Sequence, residues 1–288
     1  MDGFPRGLAG YRPVELLGRG ASGLVFRAWQ QGTGQFVAIK TPHVNGSPQA
    51  NARFEEDARL RSRLAHPHIA GLIDAGHAAG SQPYVISEWV PGQTLRQFLL
   101  RGRLAPALAC DLMAQLLDAL ACVHAAGIVH RDITPQNVLV THTGARPHIK
   151  LIDFGLAARM PTGAATTSVP AGGTPGYCAP EQLRGAAPAP GADLYAWGMV
   201  FVECLSGRPA LTGDGPAALP LALRNHALAP LLRDVLAADP RHRPGPRPGR
   251  ATARRHLRGL PWPAGQLRPA AGAGAGGAVG ALHLPAAA

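Results

Sequence analysis

The spacing of hydrophobic positions changes twice along the chain. Between about residues 11 and 90, short runs rich in β-branched and aromatic residues predict strands: GLVFRAW at 23–29, QFVAIK at 35–40 and PYVISEWV at 83–90. One charged stretch among them, NARFEEDARLRSRL at 51–64, predicts a helix. From about residue 93 to 244 the pattern is mainly helical. Leu108, Leu112, Leu116 and Leu120 recur at a four-residue interval, which gives an amphipathic helix with one buried stripe. ADLYAWGMVFVECL at 192–205 is apolar nearly all the way round, as a helix buried in a larger lobe would be. Asp193, near its start, must cap backbone N–H groups or hold another loop, because an unpaired buried carboxylate is too costly. From about residue 245 the sequence turns Ala/Gly/Pro-rich and predicts disorder.

The chain has 288 residues, 46% apolar and 16% charged, enough for one large domain or two small lobes around a substantial core. No secretory signal is expected in MDGFPRGLAGYRP, which lacks a basic start followed by an apolar run. No membrane-spanning helix is expected either, the best apolar run being YAWGMVFVECL, interrupted by Glu203. Cys110, Cys122, Cys178 and Cys204 show no CxxC spacing and suggest thiols in a reducing cytoplasm. The net charge of +11 invites a nucleic-acid partner. However, six arginines (247, 250, 254, 255, 258 and 268) fall after residue 245, where no acid accompanies them. A basic tail of that kind is a solvated appendage rather than a reader of bases, so nucleic acid is not expected as a partner.

Candidate chemistry changes the picture more. LGRGASGLV at 17–25 sets Gly18, Gly20 and Gly23 after an apolar run, letting backbone N–H groups come close to phosphates. A dinucleotide fold would start a helix after the third glycine, whereas LVFRAW continues as strand, so a hairpin over a nucleotide fits better. VAIK then ends on Lys40, a point charge able to hold phosphates. HRDITPQN at 130–137 offers Asp132 as a proton acceptor and Asn137 as a neutral oxygen ligand. LIDFG offers Asp153, a hard oxygen ligand for Mg²⁺. Each element alone is weak; all four in this order and spacing are specific.

With GTPGYCAPEQ at 173–182 and DPRHRP at 239–244, the chain resembles the eukaryotic-type serine/threonine protein kinases common in bacteria, from about Tyr11 to Arg243. The resemblance implies an α+β, two-lobed kinase fold. A β-rich small lobe would span 11–90 and a mainly helical large lobe 91–258, with an N-terminal extension at 1–10 and a disordered tail at 259–288. It implies transfer of the γ-phosphoryl group of ATP to Ser/Thr hydroxyls of proteins, autophosphorylation included; the alternative is a nucleotide-binding pseudokinase acting as a signalling scaffold. Leu17, Gly18, Arg19, Gly20 and Gly23 would cover ATP, and Val25, Ala38 and Leu139 would sandwich its adenine. Ser87 would stand behind the adenine, and Glu88, Trp89 and Val90 would form the hinge. Lys40 would hold the α/β-phosphates, while Asn137 and Asp153 would ligate Mg²⁺ or Mn²⁺. Asp132 would take the substrate's proton, with Thr174 contacting it. Glu181 and Arg243 would pair, and Asp193 would hold the His130–Arg131 turn. Arg131 implies control by phosphorylation at Thr166, Thr167 or Ser168. No oligomer is specified by any of these motifs.

Three departures bear on activity. Thr134 stands where the family usually has a lysine, so a slower enzyme is expected. A lysine restored there is expected to find room in a loop open to solvent and to raise turnover. The partner of Lys40 is Glu56 or Asp57: counting nine back from His66 gives Asp57, whereas the E-x-x-x-L pattern to Leu60 gives Glu56, which is preferred. Neighbours lie about 100° apart around a helix, so only one can face the lysine. Finally, SGRPALTGDGPAALPL at 206–221 breaks a shortened interval between Asp193 and Arg243, trimming the part of the large lobe where partners would dock.

Overall fold

A computed structural model describes residues 2–20, 23–43, 48–161, 172–208, 219–220 and 223–244. The small lobe is a five-stranded antiparallel sheet with one helix. Its strands are β1 (Tyr11–Gly20), β2 (Gly23–Gln30), β3 (Gln35–Thr41), β4 (Leu72–His77) and β5 (Pro83–Glu88), in the order β1-β2-β3-β5-β4; α1 (Pro48–Arg61) packs against it. Strand periodicity decides what faces the cleft. Register sets Val25 opposite Lys40, and Ala38 opposite both Arg27 and Ser87. These side chains therefore share one face. Phe26, Ile39 and Ile86 share the other, which the N-terminal residues cover. Phe4 meets Phe26 edge-on at 5.4 Å, and the Ala79 N–H donates to the Arg6 carbonyl at 3.0 Å. The N-terminal extension thus packs on the small lobe through Phe4 and Leu8.

After the hinge, β6 (Gln93–Thr94) leads into α2 (Leu95–Leu99), started by a capping box between Thr94 and Gln97. The large lobe is built on α3 (Pro106–Ala125) and α5 (Pro190–Ser206), each opened by a proline that lacks the N–H a first helical residue cannot use. Trp197 is fully buried and donates its indole N–H to the Met113 carbonyl at 2.9 Å, tying the two helices together. Gly198 lets α6 (Ala229–Val235) and its C-cap approach α5, since a Cβ there would stand 2.8 Å from Val235. By length and apolarity α3 could cross a membrane, although its sequence contains no long unbroken apolar run; half of that stretch is buried in the fold, as in a core helix.

Between α3 and α5 the chain makes β7 (Ile128–Val129), the hairpin β8 (Val138–Thr143) and β9 (Arg146–Leu151), β10 (Ala158–Arg159) and α4 (Pro180–Leu183). The lobes meet where Ile69 bridges Leu151 and the Ala70 N–H donates to the Leu151 carbonyl at 2.9 Å. The tail at 259–288 and the candidate phosphosites Thr166, Thr167 and Ser168 lie outside the described residues.

Arg243, in the turn after α6, fastens the base of the large lobe. Its side chain is wholly buried, with two nitrogens on Glu181 at 2.5 and 2.8 Å and further bonds to the Ala237, Ala238 and Gly191 carbonyls. Removing one partner strands the other's charge. Glu181→Ala should therefore cost about 3–5 kcal/mol in urea unfolding, and Arg243→Leu added to it should recover part of that loss.

Candidate active site

The turn His130–Asn137 is shaped from beneath. Asp193, 1% exposed at the first turn of α5, accepts the backbone N–H of His130 at 2.9 Å and of Arg131 at 2.7 Å, and His124 Nε2 at 2.7 Å. Burial alone would raise its carboxyl; these donors outweigh burial and hold it below the usual carboxylate range. Arg131 takes φ +68°, a left-handed conformation a side chain rarely adopts, and the Arg131 carbonyl is held by Gln182 Nε2 at 2.6 Å.

That turn presents Asp132. Asn137 Nδ2 donates to Asp132 Oδ2 at 2.8 Å and to its carbonyl at 2.9 Å. Thr174 donates its hydroxyl to Oδ1 at 2.7 Å and its N–H to the same oxygen at 3.1 Å. Both carboxylate oxygens are therefore fixed in direction. The Asn137 amide oxygen takes none of these bonds and stays available as a ligand.

From the small lobe, Lys40 reaches down to Asp153 Oδ1 at 2.5 Å. Asp153 sits at φ +54° and also accepts the Gly155 N–H at 3.0 Å. Burial would raise its carboxyl, but Lys40 and the Gly155 N–H hold it down. Lys40 is itself 8% exposed, so its charge acts in a poorly hydrated place.

The nucleotide-side residues fall around this pair. Leu17, Gly18, Arg19 and Gly20 end β1, exposed; a Cβ at Gly18 or Gly20 would meet nothing within 4 Å, leaving space above the cleft. Gly23 cannot be replaced in the same way: its φ is +129° and a Cβ would stand 2.1 Å from the Thr41 carbonyl. Val25 and Ala38 sit half-buried on the sheet's cleft face, and Leu139 pairs with Thr94 below the hinge. Glu88, beyond its place at the hinge, accepts Lys150 Nζ at 2.5 Å and the Gly71 N–H at 2.9 Å, an ion pair across the lobes that the sequence reading did not contain. Val90 is buried at 6%.

The structure separates Glu56 from Asp57. Glu56 is on the outside of α1, bonded at 3.0 Å to Arg159 Nε of β10. Asp57 faces inward, 3% exposed, and neither of its oxygens accepts a hydrogen bond. Burial pushes its carboxyl up to about 6, against the pull of Arg61 and, less strongly, Lys40. The preference for Glu56 is thus corrected: the inward carboxylate is Asp57. The expected open surroundings of Thr134 are corrected too, since it is 1% exposed.

Two groupings were missed. Arg96, Tyr177 and Glu203 form a closed set: Arg96 bonds both others, and the Tyr177 hydroxyl donates to Glu203 Oε2 at 2.5 Å. Their separation in sequence left no local signal. Arg61, buried at 6%, bonds Ser87 Oγ at 2.8 Å. Its only signal was the i,i+4 interval from Asp57.

Comparison with known proteins agrees with this geometry. The protein kinase domain family matches residues 11–248. The chain belongs to the protein kinase family. Among curated relatives of this kinase chain, the serine/threonine-protein kinase pkn2 of Myxococcus xanthus is 35% identical over 79% of the chain and 28% of its own length. Serine/threonine-protein kinase PknA of Mycobacterium tuberculosis is 36% identical over 75% of the chain and 50% of its own length. A probable serine/threonine-protein kinase PknB of Lactococcus lactis is 35% identical over 73% and 34%. The chain thus spans about a quarter to a half of the length of these relatives.

The two acids of α1 should differ on substitution. Glu56→Gln breaks an exposed pair and should change ATP affinity by less than about 1 kcal/mol. Asp57→Asn should weaken ATP binding several-fold, as read by calorimetric titration with ATP and Mg²⁺.

Proposed function

We propose that this chain is an ATP-dependent protein serine/threonine kinase. The observation that carries the reading is the Asp132 carboxylate, held on both oxygens by Asn137 and Thr174 and standing near a cross-lobe Lys40–Asp153 pair. A Ser or Thr hydroxyl of a protein substrate would be oriented by Asp132. Its oxygen bonds the γ-phosphorus, the bond to the β–γ bridging oxygen breaks, ADP leaves, and the hydroxyl proton passes to Asp132 late in a loose transition state. Lys40 would hold the α/β-phosphates. Leu17, Gly18, Arg19, Gly20 and Gly23 would cover the triphosphate, and Val25, Ala38 and Leu139 would enclose the adenine against the backbone of Glu88 and Val90.

Family membership implies a divalent cation, and we assign Mg²⁺, with Mn²⁺ as a substitute. The donors fit it: one carboxylate, Asp153, and one uncommitted amide oxygen, Asn137. Among the described residues no group of three or more His, Cys, Asp or Glu forms a cage. That accords with a hard cation completed by phosphates and water. The ion would neutralise charge on the transferring phosphoryl group. The four cysteines are free, which supports a reading of the chain as a cytoplasmic enzyme.

Transfer of radiolabelled phosphate from ATP to a generic basic protein substrate tests the reading. Asp132→Asn and Lys40→Met should each lower kcat by about 100-fold or more with little change in thermal unfolding. A wild-type rate in Asp132→Asn would remove Asp132 as the base. ATP binding without any transfer would make the chain a scaffold instead.

The burial of Thr134 reverses the expectation drawn from the sequence. Thr134→Lys forces a longer, charged side chain into a packed position, at a cost of about 1–3 kcal/mol. Turnover and melting temperature should both fall.

A further inference from the structure

One buried amide beside the catalytic turn is not accounted for by the chemistry of phosphoryl transfer. Gln182, in α4, is 5% exposed. Its side-chain nitrogen donates to the Arg131 carbonyl at 2.6 Å and to the Gly172 carbonyl at 2.6 Å, so both of its hydrogens are engaged. Only the nitrogen of an amide can face two carbonyl oxygens, and the orientation of this side chain is therefore set by its partners. One partner precedes Asp132 directly; the other lies two residues before Thr174. The backbone passes close to the amide. A Cβ on Gly173 would stand 2.2 Å from Cys178 Sγ, 2.8 Å from Gln182 Nε2 and 3.3 Å from the Arg131 carbonyl. Gly173 also takes φ +132°, where a side chain is rarely tolerated. Cys178 adds a second, weaker donor to the Gly172 carbonyl at 3.7 Å. Burial, and after it the Asp132 charge, push that thiol up to about 11, so its proton stays in place.

We propose that Gln182 is a positioning residue for the transfer: its amide bridges the Arg131 and Gly172 carbonyls and so fixes Thr174 against Asp132. The inference rests on the kinase reading and deepens it. Arg131, at φ +68°, has its N–H held by Asp193, but the peptide plane that joins it to Asp132 needs a hold on the carbonyl as well. Gln182 supplies that hold. The same nitrogen stops the segment at 172–174 from drifting off the turn. The Thr174 hydroxyl and N–H then meet Asp132 Oδ1 at 2.7 and 3.1 Å. Without the amide, two carbonyl oxygens face the same space with no donor to share, and they push the segment and the turn apart. Asp132 would then keep Asn137 and lose Thr174. Lys40 and Asp153, assigned to ATP and its metal, pair with each other and are held without Gln182. The loss should therefore fall on turnover and not on nucleotide affinity.

The test reads kcat on a generic basic protein substrate, calorimetric affinity for ATP with Mg²⁺, and amide hydrogen exchange over residues 172–178. Gln182→Met keeps the length of the side chain and removes both donors. Its kcat should fall about tenfold with ATP affinity within about twofold of wild type, as when a reacting group is slightly misplaced. Exchange at Thr174, Tyr177 and Cys178, whose N–H groups are bonded in the wild type, should quicken. Thr174→Val also lowers kcat, by taking the hydroxyl from Asp132. Added to Gln182→Met it should cost little more, because the first change has already displaced Thr174. Wild-type kcat and exchange in Gln182→Met would overturn the proposal. So would losses that multiply in full, since Gln182 would then act independently of Thr174. Equal loss of kcat and ATP affinity would overturn it too, by making Gln182 a support of the whole cleft. If thermal unfolding shows that Gln182→Met does not fold, Gln182→Asn replaces it. Its amide is too short to reach both carbonyls, and kcat should drop about threefold; unchanged kcat would refute the bridge. Exchange is measurable in an inert chain. Wild-type protein that binds ATP without transfer would remove the kinase reading, while exchange in the Gln182 variants would still decide the bridge.

Discussion

A carboxylate that cannot afford to be unpaired sets the geometry of this protein. Asp193 stands in the first turn of a helix that is buried from Ala192 to Leu205 and mainly apolar, and its charge is offset by donors that come to it. Two of those donors are successive backbone N–H groups of the turn that carries Asp132, and the third is His124 at the end of α3. Arg131 can hold its left-handed conformation because Asp193 grips its N–H and Gln182 its carbonyl. The direction of Asp132 is therefore decided in the hydrophobic interior. Asn137 and Thr174 then lock the two oxygens that the interior has aimed.

The other half of the site follows from strand alternation. Because β2, β3 and β5 are in register, every second residue faces the cleft, and Lys40 comes out beside Val25 and in line with Ala38 and Ser87. Its reach to Asp153 joins the lobes by charge, while the Lys150–Glu88 pair joins them again at the hinge. Asp57 and Arg61 are both buried on the inward side of α1, so this helix brings charged groups as well as packing to the small lobe.

Much of this was legible in the sequence because it is local. The glycine hairpin, the lysine at a strand end, the Asp–Asn interval and the buried character of 192–205 are each short patterns with a physical meaning, and Asp193 could be singled out from its apolar neighbours alone. The rest depends on distant contacts. Whether Glu56 or Asp57 faces inward was a question of helical phase, set by the packing of Phe54 and Ala58 against Val85 of β5. Thr134 looked accessible because the turn reads as polar; its burial comes from elements packed around it in three dimensions. The Arg96–Tyr177–Glu203 set joins α2, the segment before α4 and α5, which no periodicity connects.

The N-terminal layer has a consequence for the order of assembly. Phe4 and Leu8 pack on a sheet face that includes Ile86, and the Arg6 carbonyl waits for the N–H of Ala79. Phe4 and Leu8 can thus be placed only after β5, far downstream in sequence, has been added between β3 and β4. Contacts so far apart in sequence slow folding, since loop entropy is lost before they form. Until they do, a nascent small lobe shows an uncovered apolar face around Phe26 and Ile39, the stage at which this chain is most open to chaperones and to its own kind.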